Sequence, residues 1–259
     1  MNQKLFSHLQ LREIFHLEFL RWLARKIKVK YYALKGGVNL RFFFHSFRYS
    51  EDMDLDAQGI RVEVLKEVVM KILQSLVFQE NLMPFGITKV VPPDIRKAKQ
   101  TKTTQRFKVH LISSSGEDLF TKIEFSRRGF GGTVNVETVN FDILRTYKLA
   151  PLIVPHYDVI SAITQKVEAL ATRTIIQPRD IFDLYILIPQ YSSHKREEVK
   201  INSAKLTKAY ENVFEIGFEW FRDTVISYLS IEDQLLYSSP PSWEEIRLKV
   251  ANFINELRR

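Results

Sequence analysis

The stretch Lys35–Asp56 constrains the fold of this chain more than any other. An apolar run, Tyr31-Tyr32-Ala33-Leu34, meets the glycine pair Gly36-Gly37; a short apolar helix follows, then Arg48-Tyr49-Ser50-Glu51-Asp52-Met53-Asp54-Leu55-Asp56. The apolar run reads as a buried strand, and the glycine pair as a sharp strand-to-helix turn whose free N–H groups can face a phosphate. The two-residue period of the next strand puts Asp52, Asp54 and Asp56 on one face, with Met53 and Leu55 on the other. Three carboxylates on one face repel each other. A divalent cation relieves that repulsion, and hard oxygen ligands suit magnesium when phosphates complete its shell. A solvated edge strand would show the same triplet.

The rest of the chain divides by period. Residues 7–28 carry apolar positions at helical spacing and read as an opening amphipathic helix; residues 62–78 read as a second long one, with Lys66 and Lys71 in water. Beyond Gly86 the period shortens: Ile87, Val90 and Val91 suggest a strand, and 104–112 with 119–125 a hairpin around Ser113–Asp118. Between them runs a basic series, Arg96, Lys97, Lys99, Lys102, Arg106 and Lys108, which suits either a solvated loop or a strip that tracks phosphates. In Thr121-Lys122-Ile123-Glu124-Phe125 the lysine and glutamate point the same way. Residues 134–139 read as a short edge strand, and Pro151 and Pro155 mark a boundary. The chain beyond is helical in period: 156–173 carries Gln165-Lys166-Val167-Glu168-Ala169-Leu170, and the next helix opens with Arg179-Asp180-Ile181-Phe182-Asp183-Leu184. Helices are also expected at 203–214, 218–229 and 242–257.

Together these segments resemble the AbiEii/AbiGii-type nucleotidyltransferases, toxin components of bacterial toxin–antitoxin and phage-defence loci within the polymerase-beta-like superfamily. The first motif is Leu34-Lys35-Gly36-Gly37 with Arg48-x-Ser50-x-Asp52-x-Asp54. The second is Lys122-x-Glu124, and the third and fourth lie around Lys166 and around Asp180 and Asp183. One position departs from the pattern: Val38 stands where the family usually has Thr or Ser, which moves a hydroxyl contact, with Asn39 as a substitute.

The resemblance implies an α+β fold: a nucleotidyltransferase domain over 1–150, with a mixed sheet flanked by helices, then a helical bundle over 151–259. It implies that Asp52, Asp54 and Glu124 hold one or two magnesium ions, with Asp56 a neighbour and Glu124 a ligand or general base. Lys35, Gly36, Gly37, Asn39, Arg48, Ser50, Lys122, Lys166, Asp180 and Asp183 would contact a nucleoside triphosphate, and the basic series an RNA acceptor such as the 3′ end of tRNA. A cognate antitoxin is the expected protein partner. A lapsed nucleotide- or RNA-binding protein of the same fold is the alternative, and a metal-dependent phosphohydrolase or nuclease a further class.

Composition agrees with a soluble globular protein: 259 residues, 45% hydrophobic and 26% charged. A net charge of +8 favours a polyanionic partner. The absence of cysteine excludes disulfides and thiol chemistry. No apolar run reaches membrane-spanning length, and Met1-Asn2-Gln3-Lys4-Leu5 opens no export signal, so a cytoplasmic protein with no membrane partner is expected.

Overall fold

The computed structural model describes residues 6–193 and 199–258; the opening Met1–Leu5 lies outside them. The chain forms two compact units, residues 1–42 with 49–157, and 43–48 with 158–259.

The first unit is built on a seven-stranded mixed sheet in the order β3-β4-β5-β2-β1-β7-β6. Its strands are β1 (Tyr32–Lys35), β2 (Met53–Ala57), β3 (Ile87–Val91), β4 (Thr104–Ser113), β5 (Asp118–Ser126), β6 (Val134–Thr138) and β7 (Ile153–Tyr157). The pairs β2–β5 and β1–β7 are parallel and the rest antiparallel. Among the described residues the α-helices that accompany them are α1 (His8–Lys26), α2 (Gly36–Phe43), α3 (Val62–Gln74), α4 (Leu76–Leu82) and α5 (Phe141–Thr146). Helix α1 starts at a capping box made by Ser7 and Gln10 and buries Ile14, Phe15, Leu17, Phe19, Leu20 and Leu23 completely. Against that core the strands present Leu34, Met53, Leu55, Ile123 and Phe125, all fully buried. Apolar alternation thus sends every second strand residue to the opposite face, where the charged residues stand.

The single helix expected over 62–78 is two helices. Ser75 leaves helical geometry at ψ 123° and its hydroxyl accepts the Phe78 N–H, ending α3 and capping α4. The prolines at 151 and 155 do not interrupt the sheet. Pro155 lies inside β7, which meets β1 through one residue pair, Leu34 with His156, so a missing N–H is tolerated there.

The second unit is helical: α6 (Val159–Thr172), α7 (Pro178–Ser193), α8 (Ser203–Phe214), α9 (Phe218–Thr224), α10 (Ile231–Tyr237) and α11 (Pro240–Glu256). Because His156 and Tyr157 belong to β7, α6 begins three residues later than the period suggests, capped by Asp158 on the Ser161 N–H. The helix expected over 218–229 ends at Thr224, and α10 has no counterpart in the sequence expectations. Ile163, Val167, Leu184, Leu187, Val213, Val250 and Ile254 fill the core, with Phe221 stacked on Trp243 at 4.1 Å between ring centres.

Candidate active site

On the charged face of the sheet the register sets residues in rows. Lys35 on β1 stands opposite Asp54 on β2, Asp54 opposite Glu124 on β5, and Glu124 opposite Arg106 on β4. Two residues along, Lys122 faces Lys108. Like charges directly opposite are unfavourable in a sheet unless an anion lies over them. The cations are taken up by acids: Lys35 Nζ lies 2.5 Å from Asp56 Oδ1, Lys122 Nζ 3.0 Å from Asp52 Oδ2, and Arg106 Nε 2.6 Å from Glu124 Oε2.

Asp54 differs from its neighbours. Among the described residues no ion pair or hydrogen bond reaches its side chain, and burial, reinforced by the nearby Glu124 and Asp52 charges, raises its pKa despite Lys122 and Lys35. Gly36, at φ +68°, lies against it, where a Cβ would sit 3.2 Å from Asp54 Oδ2. The glycine therefore supplies both the left-handed turn and the clearance above the carboxylate.

Neighbouring elements hold the start of β2. Thr121 donates its hydroxyl to the Glu51 carbonyl at 2.7 Å and is itself hydrogen-bonded to His16 Nε2 at 2.9 Å. With its one proton spent, Thr121 accepts from the Nε2–H of His16. Burial, with Arg12 nearby, lowers its pKa to about 3. Ser50 Oγ donates to the Asp52 carbonyl at 2.8 Å, shaping the turn into β2.

Two residues expected at the nucleotide are committed elsewhere. Asn39 is buried: its Nδ2 donates to the Tyr157 carbonyl at 3.0 Å and its Oδ1 lies 3.0 Å from His156 Nδ1. Its amide ties α2 to β7 and offers nothing to a ligand, and Val38 beside it is a core side chain. Arg48, also buried, makes a two-pronged pair with Asp183, Nε to Oδ1 at 3.0 Å and a terminal nitrogen to Oδ2 at 3.1 Å.

That pair belongs to a charged cluster inside the helical unit. Lys166 Nζ, on α6, lies 2.6 Å from Asp183 Oδ2 and 3.1 Å from Asp180 Oδ1, and Arg173 Nε lies 3.0 Å from Asp180 Oδ2. Both aspartates, one turn apart on α7, have no exposed surface. Burial opposes the charge on Asp183, but Arg48 and Lys166 outweigh it and keep its pKa below the usual carboxylate range.

The donor set Asp52, Asp54 and Glu124 has the hard-oxygen chemistry of a magnesium site, and the open space at Gly36 over the unpaired Asp54 leaves room for an ion. As placed, no three His, Asp or Glu side chains among the described residues are gathered around one point, since Lys122 and Arg106 hold the outer two acids. In the basic series, Lys97, Lys99, Lys102 and Lys108 are exposed, Arg96 pairs with Asp94, and Arg106 with Glu124. Tyr157 and the link between Lys35 and Asp56 belong to no motif; Asp56's place on the charged face is their only signal in the sequence.

The sequence profile of a family described as nucleotidyl transferase AbiEii toxin, type IV toxin–antitoxin system, matches residues 18–243. No curated protein matches the chain in sequence. Among the solved structures that resemble it are JHP933 from Helicobacter pylori (TM-score 0.56, 17% identity, 98% of this chain and 96% of that one) and MenT4, a nucleotidyltransferase toxin from Mycobacterium tuberculosis (0.62, 16%, 96% and 84%). Among the described residues no helix is long and apolar enough to cross a membrane.

Proposed function

Because this chain belongs to the AbiEii nucleotidyltransferase toxin family, we propose that it moves a nucleoside monophosphate from a nucleoside triphosphate to an acceptor hydroxyl on the charged face of its sheet. The observation that carries this reading is the unpaired, half-buried Asp54 under the open backbone of Gly36, flanked by Asp52 and Glu124.

Asp52, Asp54 and Glu124 are the residues that would hold one or two magnesium ions. Bound there, magnesium supplies counter-charge to the triphosphate and to the departing pyrophosphate. Gly36 and Gly37 admit phosphate oxygens close to the backbone. Lys35 and Lys122 bring cations to the same face; once phosphates enter, Lys122 exchanges its partner Asp52 for an anion. Glu124 is also the carboxylate suited to take the proton of the attacking hydroxyl. Lys166, held by Asp180 and Asp183, is the further cation assigned to nucleotide phosphates. The acceptor reading is RNA, with the 3′ end of tRNA as the target and Lys97, Lys99, Lys102 and Lys108 tracking its backbone. A cognate antitoxin and a cytoplasmic setting complete the proposal. The sheet unit performs the chemistry and the helical unit supports it.

The test incubates the protein with total bacterial RNA, magnesium and each labelled nucleoside triphosphate in turn, then separates RNA from protein on a denaturing gel. Label on a tRNA-sized band supports the proposal. Label on protein alone moves the acceptor to a side-chain hydroxyl, and no label in any lane overturns the transfer reading.

A further inference from the structure

Residues directly opposite in an antiparallel pair are those whose side chains meet most readily. Lys35 stands opposite Asp54, yet its ammonium goes to the diagonal acid: Nζ is 2.5 Å from Asp56 Oδ1, and among the described residues no ion pair joins Lys35 to Asp54. The reason lies in how Asp56 is held. Its second oxygen, Oδ2, accepts the Tyr157 hydroxyl at 2.6 Å, and that hydroxyl in turn accepts the Gly131 N–H at 3.0 Å. Tyr157 has one proton to give, and the glycine N–H leaves it one direction in which to give it.

Both residues are locked. Asp56 is 5% exposed, the Tyr157 ring has no exposed surface, and the Tyr157 carbonyl is fixed by Asn39 Nδ2 at 3.0 Å. The outer pairs, Lys122 with Asp52 and Arg106 with Glu124, are more exposed and free to exchange partners. The Lys35–Asp56 pair is the fixed member of the row.

We propose that Asp56 and Tyr157 are positioning residues that hold the Lys35 ammonium off Asp54 and so leave the Asp54 carboxylate available to a divalent cation. This rests on the reading of Asp54 as a metal ligand. Without Asp56, the nearest acid for Lys35 is the residue across from it, and a lysine on Asp54 competes with the ion for the same oxygens.

The experiment titrates the full chain with Mn2+ and measures free ion by electron paramagnetic resonance, with thermal melts to confirm folding. Asp56→Asn should weaken Mn2+ binding about tenfold, as an added ammonium at contact distance requires, and saturating Mn2+ should restore its kcat. Tyr157→Phe, which keeps the packed ring and removes only the hydroxyl, should shift binding the same way by a smaller factor. Lys35→Met should bind Mn2+ no more weakly than wild type, and Asp56→Asn combined with Lys35→Met should recover wild-type affinity. A double variant as weak as Asp56→Asn would make Asp56 a ligand and overturn the proposal, as would unchanged binding in Asp56→Asn. If Asp56→Asn does not fold, Tyr157→Phe with and without Lys35→Met gives the same comparison, and unchanged binding there overturns it. Asp54→Asn separates the two readings: if it leaves Mn2+ binding intact, the metal assignment itself fails.

Discussion

Asp54 and Glu124 are direct partners across the parallel pair β2–β5, although α3, α4, β3 and β4 all lie between them in the chain. The acids that count most for the proposed chemistry are thus brought together by sheet register, and each is separately replaceable.

Asp54→Ala and Asp52→Ala should each lower nucleotide transfer by at least about a hundredfold, the scale on which charge-stabilising groups act. The fold should survive, since neither residue supports the core. Asp54→Asn should melt slightly higher than wild type at neutral pH, because it removes a carboxylate whose charge burial disfavours. Transfer assays and calorimetry on the same preparations check both halves, and equal activity in the alanine variants refutes the assignment.

Gly36→Ala places a methyl group 3.2 Å from Asp54 Oδ2 on a backbone at φ +68°. The left-handed conformation alone should cost about 1–2 kcal/mol of stability, measured by urea unfolding. Activity should fall by more than the stability loss explains, since the methyl group fills the clearance above Asp54.

His16 makes the fold sensitive to mild acid. Its folded pKa, about 3, lies below the ordinary histidine value of 6.5, so between these values the unfolded chain binds a proton that the folded one does not. Stability should therefore fall as pH drops below about 6.5, by about 1.4 kcal/mol per unit from this group. His16→Gln should flatten that slope in melts recorded from pH 7 to 5.

Asp183 acts in a lower window. Its folded pKa lies below the ordinary aspartate value of 3.8, so its contribution is complete above that value and is lost as pH falls through the folded one. Asp183→Asn should remove this acid slope and cost about 3–5 kcal/mol, because Arg48 and Lys166 lose a buried counter-charge.

Exchanging Lys97, Lys99, Lys102 and Lys108 for glutamine should weaken RNA binding and reduce its salt dependence by about 0.7 in slope for each phosphate left without its cation. Binding measured across a salt series, with nucleotide affinity as the control, checks this; an unchanged slope places the RNA elsewhere.

Local pattern makes the strand-turn-helix at Gly36, the β4–β5 hairpin and the face shared by Asp54 and Asp56 legible in the sequence, since each depends on a period or a turn residue; Asp52, read into the same strand, lies in the bend before β2. Less is legible where a long-range partner decides. Asn39 reads as a polar group at a phosphate turn, but β7 claims its amide. The apolar period runs through Ser75 without a break, so only the cap geometry divides α3 from α4. Helix α10 is only seven residues long, shorter than the window in which an apolar helical period can be read. Lys35, Asp56 and Tyr157 come from three strands, and nothing in one segment signals the other two.

Residues 43–48 group with the helical unit although they are threaded between two elements of the sheet unit. Neither half is therefore a continuous piece of coding sequence. A product beginning at Asp158 would lack the guanidinium of Arg48 and would strand Asp183 with Lys166 as its remaining cation. Recombination at a single point therefore cannot exchange either half of this protein intact.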